Sequence, residues 1–98
     1  MKETLISFER ALLNIKAGYR LARKGWHGKG MSVVLQPGHP HGIPCGKQVA
    51  KRWGIQEGDL FKCNPYLQIQ NPDGTFSMWV PSVADLLADD WYIVGGEQ

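Results

Sequence analysis

Apolar residues near the start of the chain recur with the spacing of a helix. They fall at positions i, i+3, i+4 and i+7 of one segment, which is the pattern of an amphipathic helix with one buried face. These residues are Phe8, Ala11, Leu12 and Ile15. Ser7 precedes them and can accept a hydrogen bond from a free N–H at the helix start, and Gly18 suits the position after the last turn. The pattern predicts a helix between these two residues.

Later segments alternate in the manner of strands. Short strands are predicted at residues 19–23, 31–36, 59–63 and 91–94. The clearest alternation spans residues 66–70 and 75–80, and the turn sequence of residues 71–74 joins them into a β-hairpin. If Phe76, Met78 and Val80 fill the core, Trp79 points away from it. A ligand or a partner subunit would account for a tryptophan exposed in that way.

Two further segments complete the predicted fold. Residues 37–46 hold three prolines, three glycines and two histidines, a composition that predicts an irregular, long loop. Residues 47–53 favour a helical turn or two that ends at Gly54. Ser82 and Asp85 have the spacing of a capping box, which predicts a short helix docked by Leu86 and Leu87. The whole, residues 1–98, is predicted to be a single α+β domain. Its N-terminal helix packs on an antiparallel β-sheet, with short additional helical turns.

Composition excludes several classes of protein. The net charge of +2 is small, and the lysines and arginines are scattered along the chain. Because a nucleic-acid binder normally has a dense basic face, we expect no DNA or RNA partner. No apolar run is long enough to span a membrane. Because residues 1–10 lack a signal sequence, we expect the protein in the cytoplasm, where Cys45 and Cys63 stay reduced.

The densest group of candidate binding residues is the glycine loop, residues 25–31. Its glycines allow backbone N–H groups to approach a ligand, Lys29 offers charge to phosphate, and Trp26 offers a flat face to a base. The same loop contains His27. The candidate site also includes Arg23, Trp79 and the helix start at Ser82. The alternative for each residue is structural: a tryptophan in the core, an arginine in solvent, a serine and an aspartate that cap a helix. Taken together, the residues favour a nucleotide ligand.

Metal and catalytic sites have weaker support. His39, His41, Cys45 and Cys63 could ligate zinc, but their spacing matches no zinc motif, and we expect no metal. His27 with Asp85 or Asp90 could form an acid–base pair. However, the chain contains no nucleophile elbow, no HExxH sequence and no Walker loop, so we expect no enzyme and no cofactor.

Three stretches together resemble a known family. They are "SFERALLNIKAG", "ARKGWHGKGM" and "MWVPSVADLLADDWYIV", and they carry the signatures GWxGK and Wx₂Sx₂DLLAxDW. The chain resembles a family of small, mostly phage-borne Thoeris anti-defence proteins, and residues 37–63 match it least. The resemblance implies that Trp26 and Trp79 help to form a ligand pocket, with Lys29 near phosphates. Ser82 and Asp85 occupy matching positions, as ligand contacts or as helix caps. His27 stands where relatives more often carry Asn.

The resemblance also implies a function. Members of the family are sponges in the host bacterial cytoplasm. They sequester cyclic ADP-ribose isomers made by TIR proteins, and some also bind CBASS cyclic dinucleotides. They assemble as homotetramers with pockets between subunits, so we expect a non-catalytic, oligomeric sponge for a cyclic nucleotide. Two alternatives stay open: a small phosphohydrolase acting on such signals, and an inhibitor that binds a host protein through Trp79 and residues 37–46.

Overall fold

The computed structural model describes residues 4–95. In chain order its elements are α1 (Phe8–Lys16), β1 (Leu21–Arg23), β2 (Ser32–Gln36), β3 (His39–Pro44), α2 (Lys47–Trp53), β4 (Leu60–Cys63), β5 (Tyr66–Gln70), β6 (Phe76–Met78), α3 (Val83–Leu87) and β7 (Trp91–Ile93). The α+β class is confirmed. No helix within the described part of the chain has the length and apolar character that a bilayer crossing requires.

The described residues form two compact units. The sheet unit comprises residues 4–36 and 67–95, and the inserted unit is Pro37–Tyr66. The sheet unit holds α1, α3 and a five-stranded sheet of order β6-β5-β2-β1-β7. The inserted unit holds α2 and the two-stranded sheet β3-β4.

The predicted N-terminal helix is confirmed. The Ser7 hydroxyl accepts a hydrogen bond from the backbone N–H of Arg10, and Gly18, at a φ of 103°, follows the last turn. Phe8, Ala11 and Ile15 are buried, as the apolar spacing requires. This face of α1 covers one face of the five-stranded sheet and makes the core of the sheet unit.

Strand register decides which residues share each face of that sheet. Leu21 pairs with Val33 of β2 and with Ile93 of β7, and directly paired residues point to the same side. Leu21 and Val33 are fully buried against α1, so this is the core face. Ala22 pairs with Tyr92 on the opposite face, which we call the outer face.

The predicted hairpin forms, but its faces are the reverse of the expected ones. Trp79 is 9% exposed and belongs to the core, whereas Phe76, Met78 and Val80 are 63%, 71% and 82% exposed. The reason is aromatic packing, because the Trp79 ring lies 6.3 Å from Phe8 and 6.0 Å from Trp91. Phe76, Met78 and Val80 therefore form an exposed apolar row on the outer side of the edge strand β6.

Helix α3 forms as predicted, but the residue that it buries is not one of those expected. The capping box is present: the Ser82 hydroxyl accepts from the Asp85 N–H, and the Asp85 carboxylate accepts from the Ser82 N–H. Leu86 and Leu87, expected to dock the helix, are both exposed, and Asp85 is the buried residue of this helix. Its carboxylate is held by hydrogen bonds that a leucine could not make.

The prediction of an irregular loop at residues 37–46 is wrong for most of that segment. Residues 39–44 form β3, which pairs antiparallel with β4 and has a bulge between His39 and Ile43. Both strands of a two-stranded sheet are edges, so prolines that lack an N–H are tolerated. Gly42, at a φ of 88°, supplies the backbone conformation in the bulge. Helix α2 ends at Gly54 as predicted, in the left-handed conformation.

Candidate functional site

The sheet unit contains a cleft of about 180 Å³ along β1 and β7, beside the glycine loop. Strand alternation places Arg20, Lys24 and Tyr92 on the outer face around it. The pairing extends past the strand ends, since the Val94 N–H donates to Arg20 O and the Lys24 N–H donates to Asp90 O. The full lining is Arg20, Arg23, Lys24, Trp26, Gly28, Gly30, Met31, Ser32, Tyr92 and Val94.

The chemistry of this lining is basic and aromatic. It includes Arg20, Arg23 and Lys24, and none of the described lining residues is acidic. The Lys24 Nζ lies 4.6 Å from the centre of the Tyr92 ring, a cation–π contact that keeps the ammonium group beside the cleft. A site of this kind favours an anion with an attached flat ring.

Two carboxylates hold the guanidinium of Arg23. Nε donates to Asp90 Oδ1 at 2.8 Å, and Nη1 donates to Asp85 Oδ1 at 2.9 Å. Asp90 foremost raises the pKa of Arg23, with Asp85 adding to it against the opposing effect of burial. The charge of Arg23 is thereby compensated by Asp85 and Asp90, and Arg20 and Lys24 are the other two cations that line the cleft.

Both carboxylates stay ionised. Burial acts to raise the pKa of Asp85, but hydrogen bonds from the Ser82 backbone, Arg23 and Trp26 outweigh it and hold the pKa below its usual range. The pKa of Asp90 is also lowered, first by the hydrogen bond from Arg23 and further by the N–H of Gly25. Neither group is protonated near neutral pH, so neither is available as a general acid.

Trp26 links the cleft to the core. Its indole Nε1–H donates to Asp85 Oδ1 at 3.1 Å, and its ring meets those of Trp91 and Trp79 edge-on at 5.2 Å and 6.2 Å. Trp26 is half-buried, and it lines the cleft. A base in the cleft would therefore meet a ring whose orientation is already set.

Close packing explains why the GWxGK signature has glycine at positions 25 and 28. A Cβ on Gly25 would lie 2.9 Å from Asp90 Oδ2, an oxygen that already accepts the Gly25 N–H at 2.7 Å. A Cβ on Gly28 would overlap Pro72 Cγ and the side chain of Met31. The loop thus packs against the ion pair on one side and the β5–β6 turn on the other.

The structure brings some of the predicted site residues together and separates others. Arg23, Trp26, Trp79, Ser82 and Asp85 belong to one connected cluster, in which Ser82 and Asp85 cap α3. Of these, Arg23 and Trp26 line the cleft. His27 and Lys29 are exposed on the glycine loop and do not line it.

Among the lining residues that sequence reasoning missed, three are charged or aromatic: Arg20, Lys24 and Tyr92. The alternation of Arg20 and Lys24 about Ala22 was a usable signal for a shared face. The contribution of Tyr92 depends on the pairing of β1 with β7, which local sequence does not reveal. Elsewhere, His39, His41, Cys45 and Cys63 do not gather, since within residues 4–95 no three His, Cys, Asp or Glu side chains are grouped to hold a metal.

Comparison with known proteins agrees with the two signatures. The family model described as the Thoeris anti-defense 2-like domain matches residues 6–94. A curated relative from Bacillus phage SP01, named "Thoeris anti-defense 2", is 32% identical over 95 residues, which cover 94% of this chain and 98% of the relative. The match thus includes the glycine loop, the capping box of α3 and both strands that form the cleft. The chain belongs to the Thoeris anti-defense 2-like family.

Proposed function

We propose that this protein sequesters a cyclic nucleotide immune signal without transforming it, and that the signal is a cyclic ADP-ribose isomer made by a TIR protein. Family membership supports an anti-defence role. The observation that carries the choice of ligand is the cleft, in which Arg20 and Lys24 lie beside the aromatic rings of Trp26 and Tyr92. A cyclic ADP-ribose combines a pyrophosphate with an adenine ring, and these two pairs of residues suit those two parts.

The chemistry of the site favours binding over catalysis. A phosphohydrolase would need a general acid or base, and the candidates from the sequence are His27, Asp85 and Asp90. Both aspartates lie outside the cleft lining with their carboxylates engaged by Arg23, and His27 lies outside the lining as well. The charged and aromatic groups that line the cleft are Arg20, Arg23, Lys24, Trp26 and Tyr92. Cations and rings offer charge and stacking surface to a phosphorylated ligand.

The size of the cleft supports a site completed by another copy of the chain. Pockets that enclose a drug-sized ligand hold ~300–1,000 Å³, and this cleft holds about 180 Å³. The exposed apolar row of Phe76, Met78 and Val80 lies on the same outer face of the sheet. Apolar rows of this kind are typical of surfaces that pack against a partner. We propose a homo-oligomer, and a tetramer as in the family, that covers this face.

Contacts from the remaining predicted residues stay a prediction. Lys29 and His27 are exposed on the loop beside the cleft, where a ligand larger than the cleft would reach them. Trp79 is buried within the sheet unit and Ser82 caps α3, so a contact of either residue with the ligand is left for a ligand-bound structure to test.

Calorimetric titration with cyclic ADP-ribose isomers and cyclic dinucleotides tests the proposal, followed by denaturation and mass analysis of the released ligand. We expect saturable binding of a cyclic ADP-ribose isomer with Kd near the nanomolar range, about −12 kcal/mol, and full recovery of the intact molecule. Trp26→Ala should abolish binding, whereas Trp53→Ala, a change at an exposed tryptophan of the inserted unit, should not.

Each other outcome has a definite meaning. A preference for a cyclic dinucleotide would show that the ligand belongs to the CBASS class of signals. Recovery of a linear product would establish the phosphohydrolase. Absence of binding to every nucleotide would contradict the proposed function.

A further inference from the structure

The carboxylate of Asp85 is the most heavily engaged polar group of the sheet unit. Asp85 is 7% exposed and belongs to none of the surfaces that line the cleft. Its Oδ1 accepts from Arg23 Nη1 and Trp26 Nε1, and its Oδ2 accepts from the Ser82 N–H. Its backbone carbonyl accepts from the indole of Trp91 at 3.0 Å. These bonds and its burial leave the carboxylate little surface for a ligand.

Two of the four donors belong to residues that do line the cleft. We infer that Asp85 is a positioning residue: it fixes the Trp26 ring and the Arg23 guanidinium in the wall of the ligand cleft without touching the ligand. This inference rests on the proposed function, because it names a determinant of affinity at that same site.

The geometry explains why Trp26 needs an anchor. Its ring meets Trp79 and Trp91 edge-on, and these apolar contacts give no partner to its N–H. The bond from Nε1 to Asp85 Oδ1 selects one orientation from those the packing allows. A ring held in place before binding loses less conformational entropy when a base stacks on it.

Arg23 is fixed by the same oxygen. With Nη1 on Asp85 and Nε on Asp90, the guanidinium plane is held from two sides. It therefore shapes the wall of the cleft, in which Arg20 and Lys24 are the other two cations. Loss of the Asp85 charge would free both wall residues at once. For two side chains that regain rotamer freedom we expect a roughly ten- to hundredfold loss of affinity.

Asp85→Asn tests this role, because the amide keeps the shape and one acceptor but loses the charge. Asp73→Asn is the matched control: Asp73 also accepts hydrogen bonds, from the Thr75 N–H and hydroxyl, but it lies in the β5–β6 turn. Three quantities are compared: the melting temperature, the Kd for the cyclic ADP-ribose isomer, and the hydrogen exchange of the Trp26 indole N–H measured by NMR without ligand.

We expect slow exchange of the Trp26 indole in the natural protein, faster exchange in Asp85→Asn, and a ten- to hundredfold rise in Kd for that variant alone. Unchanged Kd in a folded Asp85→Asn would overturn the inference. So would rapid exchange of the Trp26 indole in the natural protein, a result that needs no variant to fold. If the natural protein binds no cyclic nucleotide, the proposed function fails, and the exchange measurement still decides whether Asp85 anchors the ring.

Discussion

Replacing Arg23 with methionine would remove the cation that lies between the carboxylates of Asp85 and Asp90. The side chains of Arg23, Asp85 and Asp90 are 18%, 11% and 28% exposed, so solvent replaces little of the lost interaction. Breaking a buried ion pair from one side costs ~3–5 kcal/mol. Here Asp85 keeps its bonds from Ser82 and Trp26, and Asp90 keeps the N–H of Gly25. We therefore expect a loss of about 2–4 kcal/mol at pH 7.

The loss depends on pH with a definite sign. In the natural protein the pKa values of Asp85 and Asp90 are lowered on folding. Their ionised forms therefore stabilise the fold fully above the unfolded pKa of about 3.9, and this contribution is lost as pH falls through the folded values. Without Arg23, burial raises the pKa of Asp85 relative to the natural protein. The gap in unfolding free energy between the two proteins should thus narrow as pH falls from 7 to 3.

Urea denaturation followed by circular dichroism at pH 7, 5 and 3 measures this gap. Arg10→Met is the control, since Arg10 lies on the exposed side of α1 and should change stability by no more than about 0.5 kcal/mol. An Arg23→Met protein as stable as the control at pH 7 would refute the reasoning, as would a gap that widens in acid.

Three further predictions concern the cleft, the loop and the outer face. Arg20→Ala and Lys24→Ala should each weaken nucleotide binding about tenfold in calorimetry and reduce its salt dependence, whereas Lys16→Ala on α1 should change neither. Gly28→Ala should lower stability by about 1–3 kcal/mol in thermal melts, because its Cβ overlaps the proline of the β5–β6 turn; a stability equal to that of the natural protein would show that the loop can move aside. Met78→Asp should dissociate the assembly in light scattering without unfolding it, and an unchanged mass would place the interface elsewhere.

Local patterns were sufficient to predict the elements whose signals are short in range. Helix α1 follows from its apolar spacing, Gly54 ends α2, and Ser82 with Asp85 gives the capping box of α3. Each depends on residues within one or two turns of the chain. Residues 37–46 were predicted as a loop because their proline and glycine content disfavours a strand, whereas an edge strand such as β3 tolerates these residues.

Local sequence could not predict which face of β6 is buried. Alternation separates Trp79 from Met78, but it cannot say which of them is buried. That choice depends on Phe8, Trp26 and Trp91, which are distant in sequence and meet Trp79 only in the folded protein.

The candidate site was predicted in part for the same reason. Trp26 and Arg23 could be named from a compact, unusual segment, whereas Tyr92 enters the cleft through long-range strand pairing. Residue type alone also could not show that Arg23 is neutralised by two carboxylates. The other two cations of the cleft lining, Arg20 and Lys24, flank Ala22 in the sequence, and we propose that they contact the phosphates.

A crystal structure of the assembled protein with a cyclic ADP-ribose isomer is the most direct test of the central claim. We predict an intact ligand on the outer face of the sheet, with its base on Trp26 and its phosphates within reach of Arg20 and Lys24. A second copy of the chain should close the cleft. Ligand density at any other surface, or density for a cleaved product in the cleft, would contradict the account.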